Sequence, residues 1–238
     1  MVGIGPGGPL DRTRRAEEAI AESAVIVGYS YYLKHISDRI EGKEIVSSAM
    51  KQERERCRIA LQKAQEGKVV ALISSGDPGI YGMAGLAIEM AQAEGFTVPI
   101  EIVPGVSAAQ AAAARLGAPL MLDYAAISLS DLLVPWETIR ERLEAVAAAD
   151  LVVVLYNPKS KKRVTQLEEA IAIFKSLRPD DTPVGIGTAV GTEDEHLLLT
   201  SLEDCLEAEI TMKSILIIGN RSSKTLGGWF VTPRGYEL

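Results

Sequence analysis

Four short apolar runs constrain this chain more than anything else in it: A-V-I-V-G (24–28), V-V-A-L-I (69–73), L-V-V-V-L (151–155) and S-I-L-I-I-G (214–219). Each is apolar at successive positions, so both faces of a strand built from it need cover. The segments between them carry helical composition. Strands apolar on both sides, alternating with helices, read as mostly parallel sheets flanked by helices. All are far shorter than the roughly 18 residues that a membrane helix needs. A hydrophobic share of 47% in 238 residues is enough for a sizeable core. The expectation is an α/β protein of two α/β lobes with mostly parallel sheets. The composition changes after L-G-A-P-L (116–120), which divides the chain into lobes at 1–117 and 118–238.

Helices are predicted over 11–23 with Asp11 as N-cap, 51–67 with Gly67 as the stop, 82–93, 108–116, 136–148 and 161–177. Further strands are predicted at 99–103, 126–130 and 182–187, with apolar runs at H-L-L-L-T (196–200) and 214–219. A formal charge of −7 disfavours nucleic acid and anionic membranes as partners. Cys57 and Cys205 form no disulfide framework or zinc pattern, and His35 and His196 stand apart, so no protein-held metal is expected. The start M-V-G-I-G-P-G-G has neither a basic n-region nor a long apolar h-region, which leads to the expectation of a cytoplasmic protein.

Three loops carry the chemistry. S-S-G-D-P-G-I-Y-G (74–82) follows a buried strand, at the carboxyl end where open α/β sheets place ligands. Its glycines permit close backbone approach, and Pro78 biases Asp77 toward an extended conformation. The bland alternative is a turn in which Asp77 caps the next helix. V-P-G-V-S-A (103–108) and L-Y-N-P-K-S (155–160) repeat the style, and three such loops shared by two lobes point to a small-molecule cleft between them. G-I-G-P-G-G (3–8) matches G-x-G-x-x-G, yet Pro6 supplies no N–H where a pyrophosphate needs donors. The strand at 24–28 also lacks the acidic residue that would hold a ribose, so a tight turn is the better reading. The clusters R-T-R-R (12–15) and K-S-K-K-R (159–163) are either solvated helix faces or a grip on a small polyanion.

With these loops in view, the chain resembles the tetrapyrrole methylases from G-I-G-P-G-G to T-P-R-G-Y (232–236), essentially end to end. The most specific segments are S-S-G-D-P-G-I-Y-G-M-A-G, V-P-G-V-S-A-A, G-A-P-L-M-L-D-Y-A-A-I-S-L-S-D-L-L-V-P-W-E and L-Y-N-P-K-S-K-K-R. The pair I-S-L-S-D-L-L and Y-N-P-K-S-K-K-R resembles the branch that methylates carbon 17 of precorrin-3B or cobalt-factor III with ring contraction, in cobalamin biosynthesis.

The resemblance implies an S-adenosylmethionine-dependent C-methyltransferase, with the cofactor in the interlobe cleft and a homodimer as the assembly. Carried over by position, the cofactor contacts are Pro6, Ser75, Gly76, Asp77, Ile80, Tyr81, Gly82, Ser107, Ala108, Tyr156, Asn157 and Ala189. One stretch departs from the pattern: G-T-A-V-G-T (187–192) stands where many relatives have a basic residue followed by N-A-G-R, which affects Thr188, Ala189 and Val190. Lys159, Lys161, Lys162 and Arg163 are the cations expected to meet a tetrapyrrole's carboxylates. Ring contraction needs proton transfers, for which Asp77, Tyr81, Ser128, Ser130 and Asp131 are candidates by type and position. The alternatives are methylation at another ring carbon and a non-catalytic tetrapyrrole-binding protein.

Overall fold

The computed structural model describes residues 1–49, 51–160 and 163–237. The chain forms two compact units, residues 1–108 with 191–193, and residues 109–190 with 194–238. The composition change near residue 117 thus lies nine residues beyond the end of the first unit's main segment (117 − 108).

In the first unit the order is β1 (Val2–Gly3), α1 (Arg14–Glu22), β2 (Val25–Tyr29), α2 (Ser30–Lys34), β3 (Glu44–Ser48), α3 (Glu53–Gln65), β4 (Val70–Ser74) and α4 (Ala84–Glu94). The sheet runs β1-β4-β2-β3, parallel throughout. β1, β2 and β4 are buried on both faces, as their composition requires. Val2, Ile26, Ala71 and Ile73 pack with Ala16 and Ile20 of α1, while Val25, Val27 and Leu72 pack with Cys57 and Leu61 of α3 and Ala87 of α4. Thr13, not Asp11, is the N-cap of α1: its hydroxyl accepts the Ala16 N–H at 3.1 Å. The run 99–103 does not become a strand; only Val103 bridges, to Val2. β3, by contrast, was not expected, because E-I-V-S-S lies at the sheet edge, largely exposed, and lacks a double-sided apolar pattern.

The second unit contains α5 (Ala108–Leu116, from Ala109 on), β5 (Gly117–Ala118), β6 (Tyr124–Ser128), α6 (Trp136–Ala148), β7 (Val152–Tyr156), α7 (Thr165–Lys175), β8 (Pro183–Thr188), β9 (His196–Ser201), β10 (Ser214–Ile218), β11 (Lys224–Leu226) and β12 (Trp229–Val231). Its main sheet has the order β6-β7-β10-β8-β9. Only β6 and β7 pair in parallel; β10 and β9 are antiparallel to their neighbours. Parallel pairing therefore fills the first sheet and one end of the second, and the antiparallel remainder departs from the expected pattern. Leu143, Leu155, Ile171, Phe174, Leu202 and Leu216 are among the side chains that fill this unit's core. A small sheet, β11-β12-β5, completes it.

Candidate functional site

In the first unit the loops after β1 and β4 and the stretch 103–107 meet at the carboxyl end of the parallel sheet. Their backbones are laced directly together: Gly5 and Gly76 exchange hydrogen bonds at 3.2 and 2.7 Å, and the Gly3 N–H reaches the Val103 carbonyl at 3.0 Å. Glycine is required by this approach. A Cβ on Gly3 would stand 2.7 Å from the Gly76 carbonyl oxygen, and one on Gly105 would collide with that same oxygen.

Asp77 lies at the centre. Its Oδ1 accepts the Gly79 N–H at 2.8 Å and its Oδ2 accepts the Gly105 N–H at 3.1 Å. The carboxylate thus closes its own loop and ties it to the V-P-G loop, which is more than a helix cap. Beyond it Ile80 and Tyr81 project outward, 42% and 53% exposed, and Tyr81 has a left-handed backbone with φ of 51°. Ser75 is half-buried, Gly76 and Ser107 are buried, and Ala108 is half-buried. Pro6 is half-buried and packs near Gly191, where an added Cβ would lie 2.8 Å from its ring. The glycines at 7 and 8 face the backbone of Gly191, so close packing explains the glycine-rich start without a dinucleotide.

The second unit carries its own cluster at the ends of β6 and β7. Asn157 is left-handed with φ of 50°, and its side-chain amide donates to Ser128 Oγ at 3.0 Å. Ser128 Oγ also accepts the Ser130 N–H at 3.2 Å. The Tyr156 hydroxyl accepts the Ala109 N–H at 3.2 Å, which anchors the strand end to α5. Asp131 is exposed and accepts from Gln166 at 2.9 Å. Ala189 follows β8, again left-handed with φ of 49°. Of five non-glycine residues with positive φ among those described, three, Tyr81, Asn157 and Ala189, are expected cofactor contacts. Such backbone strain gathers where a ligand needs a fixed backbone shape.

The basic clusters fare differently. Arg12 pairs with Asp38, Arg14 with Glu18, and Arg15 with Glu101, so R-T-R-R is consumed by internal ion pairs. Arg163 is buried, 8% exposed, and donates through Nη2 to the Asn157 carbonyl at 2.6 Å. Burial pushes its pKa below the ordinary arginine value, with Asp131 acting the other way. Its guanidinium is turned toward its own loop. Lys159 is half-buried, and Lys161 and Lys162 lie outside the described residues.

Sequence reasoning missed Arg56. Only 3% exposed, it donates to Ser48 Oγ at 2.7 Å and the Ala49 carbonyl at 2.9 Å, and reaches Met83 Sδ at 3.3 Å. It thereby joins the end of β3 to the residue just after the G-D-P loop. Nothing in the charged run around it distinguishes a buried arginine from a solvated one. Among the described residues no three His, Cys, Asp or Glu gather as a metal site.

The family model for Tetrapyrrole (Corrin/Porphyrin) Methylases matches residues 1–206. The chain belongs to the tetrapyrrole methylases. The methylase is 44% identical, along its whole length, to a cobalt-factor III methyltransferase of Priestia megaterium, of which it spans 45%. Along its whole length it is also 41% identical to a probable cobalt-factor III C(17)-methyltransferase of Salmonella typhimurium, of which it covers 99%. A crystal structure of the methyltransferase CobJ superposes with a TM-score of 0.92 at 35% identity, covering 98% of each chain. The methylase thus spans less than half of one relative and nearly all of another. No described helix is long and apolar enough to cross a membrane.

Proposed function

We propose that this methylase transfers a methyl group from S-adenosylmethionine to carbon 17 of cobalt-factor III or precorrin-3B, coupled to ring contraction, in cobalamin biosynthesis. The observation that carries the reading is the likeness, end to end, to the Salmonella relative of that name. S-adenosylmethionine, when bound, supplies a sulfonium methyl open to in-line displacement by an electron-rich carbon.

The residues present fit such a cofactor. The glycine-laced backbone around Gly76 permits close approach, and the left-handed turns at Tyr81, Asn157 and Ala189 set the chain in fixed directions. Ser75 to Gly82, with Ser107 and Ala108, are the contacts proposed in the first unit. The chain's task is then to align donor with acceptor and exclude water, and alignment alone can lower a barrier by about 7–11 kcal/mol in favourable cases. Asp77 keeps its loop in shape through both carboxylate oxygens. Ser128, whose Oγ already accepts two N–H groups, has its own O–H to donate toward a macrocycle. The proton transfers of ring contraction would be drawn from Asp77, Tyr81, Ser128, Ser130 and Asp131.

The test is an anaerobic, mass-resolved turnover assay with S-adenosylmethionine and cobalt-factor III, run beside precorrin-3B. Gain of one methyl with release of S-adenosylhomocysteine is the expected result, and the preferred macrocycle names the branch. Methylation at a carbon other than 17 would move the target within the family. Cofactor binding with no methyl transfer to either macrocycle would overturn the proposed acceptor.

A further inference from the structure

We infer that Arg163 is a positioning residue, whose guanidinium fixes the Asn157 carbonyl and with it the left-handed turn after β7 that faces the cofactor. The inference rests on the S-adenosylmethionine reading above.

Four observations carry it. Arg163 is 8% exposed although it belongs to the run K-S-K-K-R, whose composition would put every head group in water. Its Nη2 donates to the Asn157 carbonyl at 2.6 Å, a charge-assisted bond of short length. Asn157 has a φ of 50°, in the left-handed region that Asn enters more readily than most L-residues but still at some cost. The Asn157 amide is bound to Ser128 at the same time, so main chain and side chain are both fixed.

Arg163 is in turn held by its own loop. Its N–H donates to Ser160 Oγ at 3.0 Å, and the Ser160 N–H returns to the Arg163 carbonyl at 2.9 Å. Among the described residues its buried Nε has no hydrogen-bond partner. A buried guanidinium nitrogen without a partner is costly, and a purely structural role at this spot would be met more cheaply by an apolar side chain. The cost is understandable if one strong bond to one carbonyl is the point.

The experiment is calorimetric binding of S-adenosylhomocysteine to the full chain, with thermal melting and steady-state kinetics on the macrocycle alongside. Arg163→Met is expected to bind the cofactor product about tenfold more weakly, the loss of one charge-assisted bond. The acceptor's KM should stay within about twofold of the parent, since Arg163 does not touch it. Arg163→Lys, which keeps one cationic donor, should recover most of the affinity. In an Asn157→Gly background, where the backbone takes a positive φ freely, adding Arg163→Met should cost less than about threefold. If Arg163→Met does not fold, Arg163→Gln, with a neutral donor of shorter reach, carries the same comparison. Unchanged cofactor affinity with a raised acceptor KM would overturn the inference and restore Arg163 as a substrate cation. Equal losses in the Asn157 and Asn157→Gly backgrounds would also overturn it. A parent chain that binds no S-adenosylhomocysteine would sink the cofactor reading first, and this inference with it.

Discussion

Asp77 commits each carboxylate oxygen to a different loop, Oδ1 to Gly79 and Oδ2 to Gly105. Asn in its place can accept at only one end, and at the other sets an NH2 group against a backbone N–H. Asp77→Asn should therefore lower stability by about 1–3 kcal/mol in urea denaturation and weaken S-adenosylhomocysteine binding in parallel. Lost turnover with stability and binding intact would instead give Asp77 a direct part in proton transfer. The density of Gly, Pro and Ser around Asp77 made this loop legible in the sequence, because backbone shape is written in those residue types. The direction of a long side chain is not. Arg163 and Arg56 both lie in charged runs, and only the fold turns their guanidinium groups inward. Asn157 gave a faint signal, since Asn tolerates the left-handed region; Tyr81 and Ala189 gave none.

At the scale of elements, Arg178 is the clearest case of one side chain joining several. It is 4% exposed, follows α7, and donates to the Leu151 carbonyl just before β7 at 2.7 Å and to the Gly219 carbonyl just after β10 at 2.5 Å. Its guanidinium lies 4.7 Å from the Phe174 ring centre. Burial pushes its pKa down to about 10, with Asp150 acting the other way, so it remains charged at neutral pH. Arg178→Met strips partners from one buried and one part-buried carbonyl and should cost about 3 kcal/mol in chemical denaturation, with Arg178→Lys intermediate. A melting temperature unchanged in Arg178→Met would show that these bonds add nothing to the second unit. Strands buried on both faces were legible element by element, as were α5 and α6. Strand direction was not, because an apolar run reads the same whether its neighbour is parallel or antiparallel, and the β7-β10-β8-β9 part of the second sheet is antiparallel. Edge strands such as β3 escape for the opposite reason, having no double-sided burial to advertise.

Over the whole molecule, each unit has one cysteine closed inside its own core, Cys57 against α4 and β4, and Cys205 in the cluster around Phe174. Neither thiol is solvent-exposed, and burial pushes both from an ordinary value of 9 up to about 11. A thiol that holds its proton more tightly when folded favours the native state fully below the unfolded value. That contribution is lost as pH rises through the folded one. Between about pH 9 and 11 the unfolded chain ionises while the native chain does not, so stability should fall by up to about 2 kcal/mol per thiol. Tyrosines and lysines titrate in the same range, so the informative quantity is a difference. Cys57→Ala and Cys205→Ala each open a small cavity whose cost does not depend on pH. The gap in unfolding free energy between parent and each variant should be constant from pH 7 to 8.5 and shrink steadily above 9. Because the two thiols sit in separate cores, the double variant should show the sum of the two pH-dependent parts. A gap that stays flat to pH 11 would mean that the cores admit water and let the thiolates form in place. The thiols would then react with alkylating reagents in the native protein, whereas a closed core predicts labelling only after unfolding.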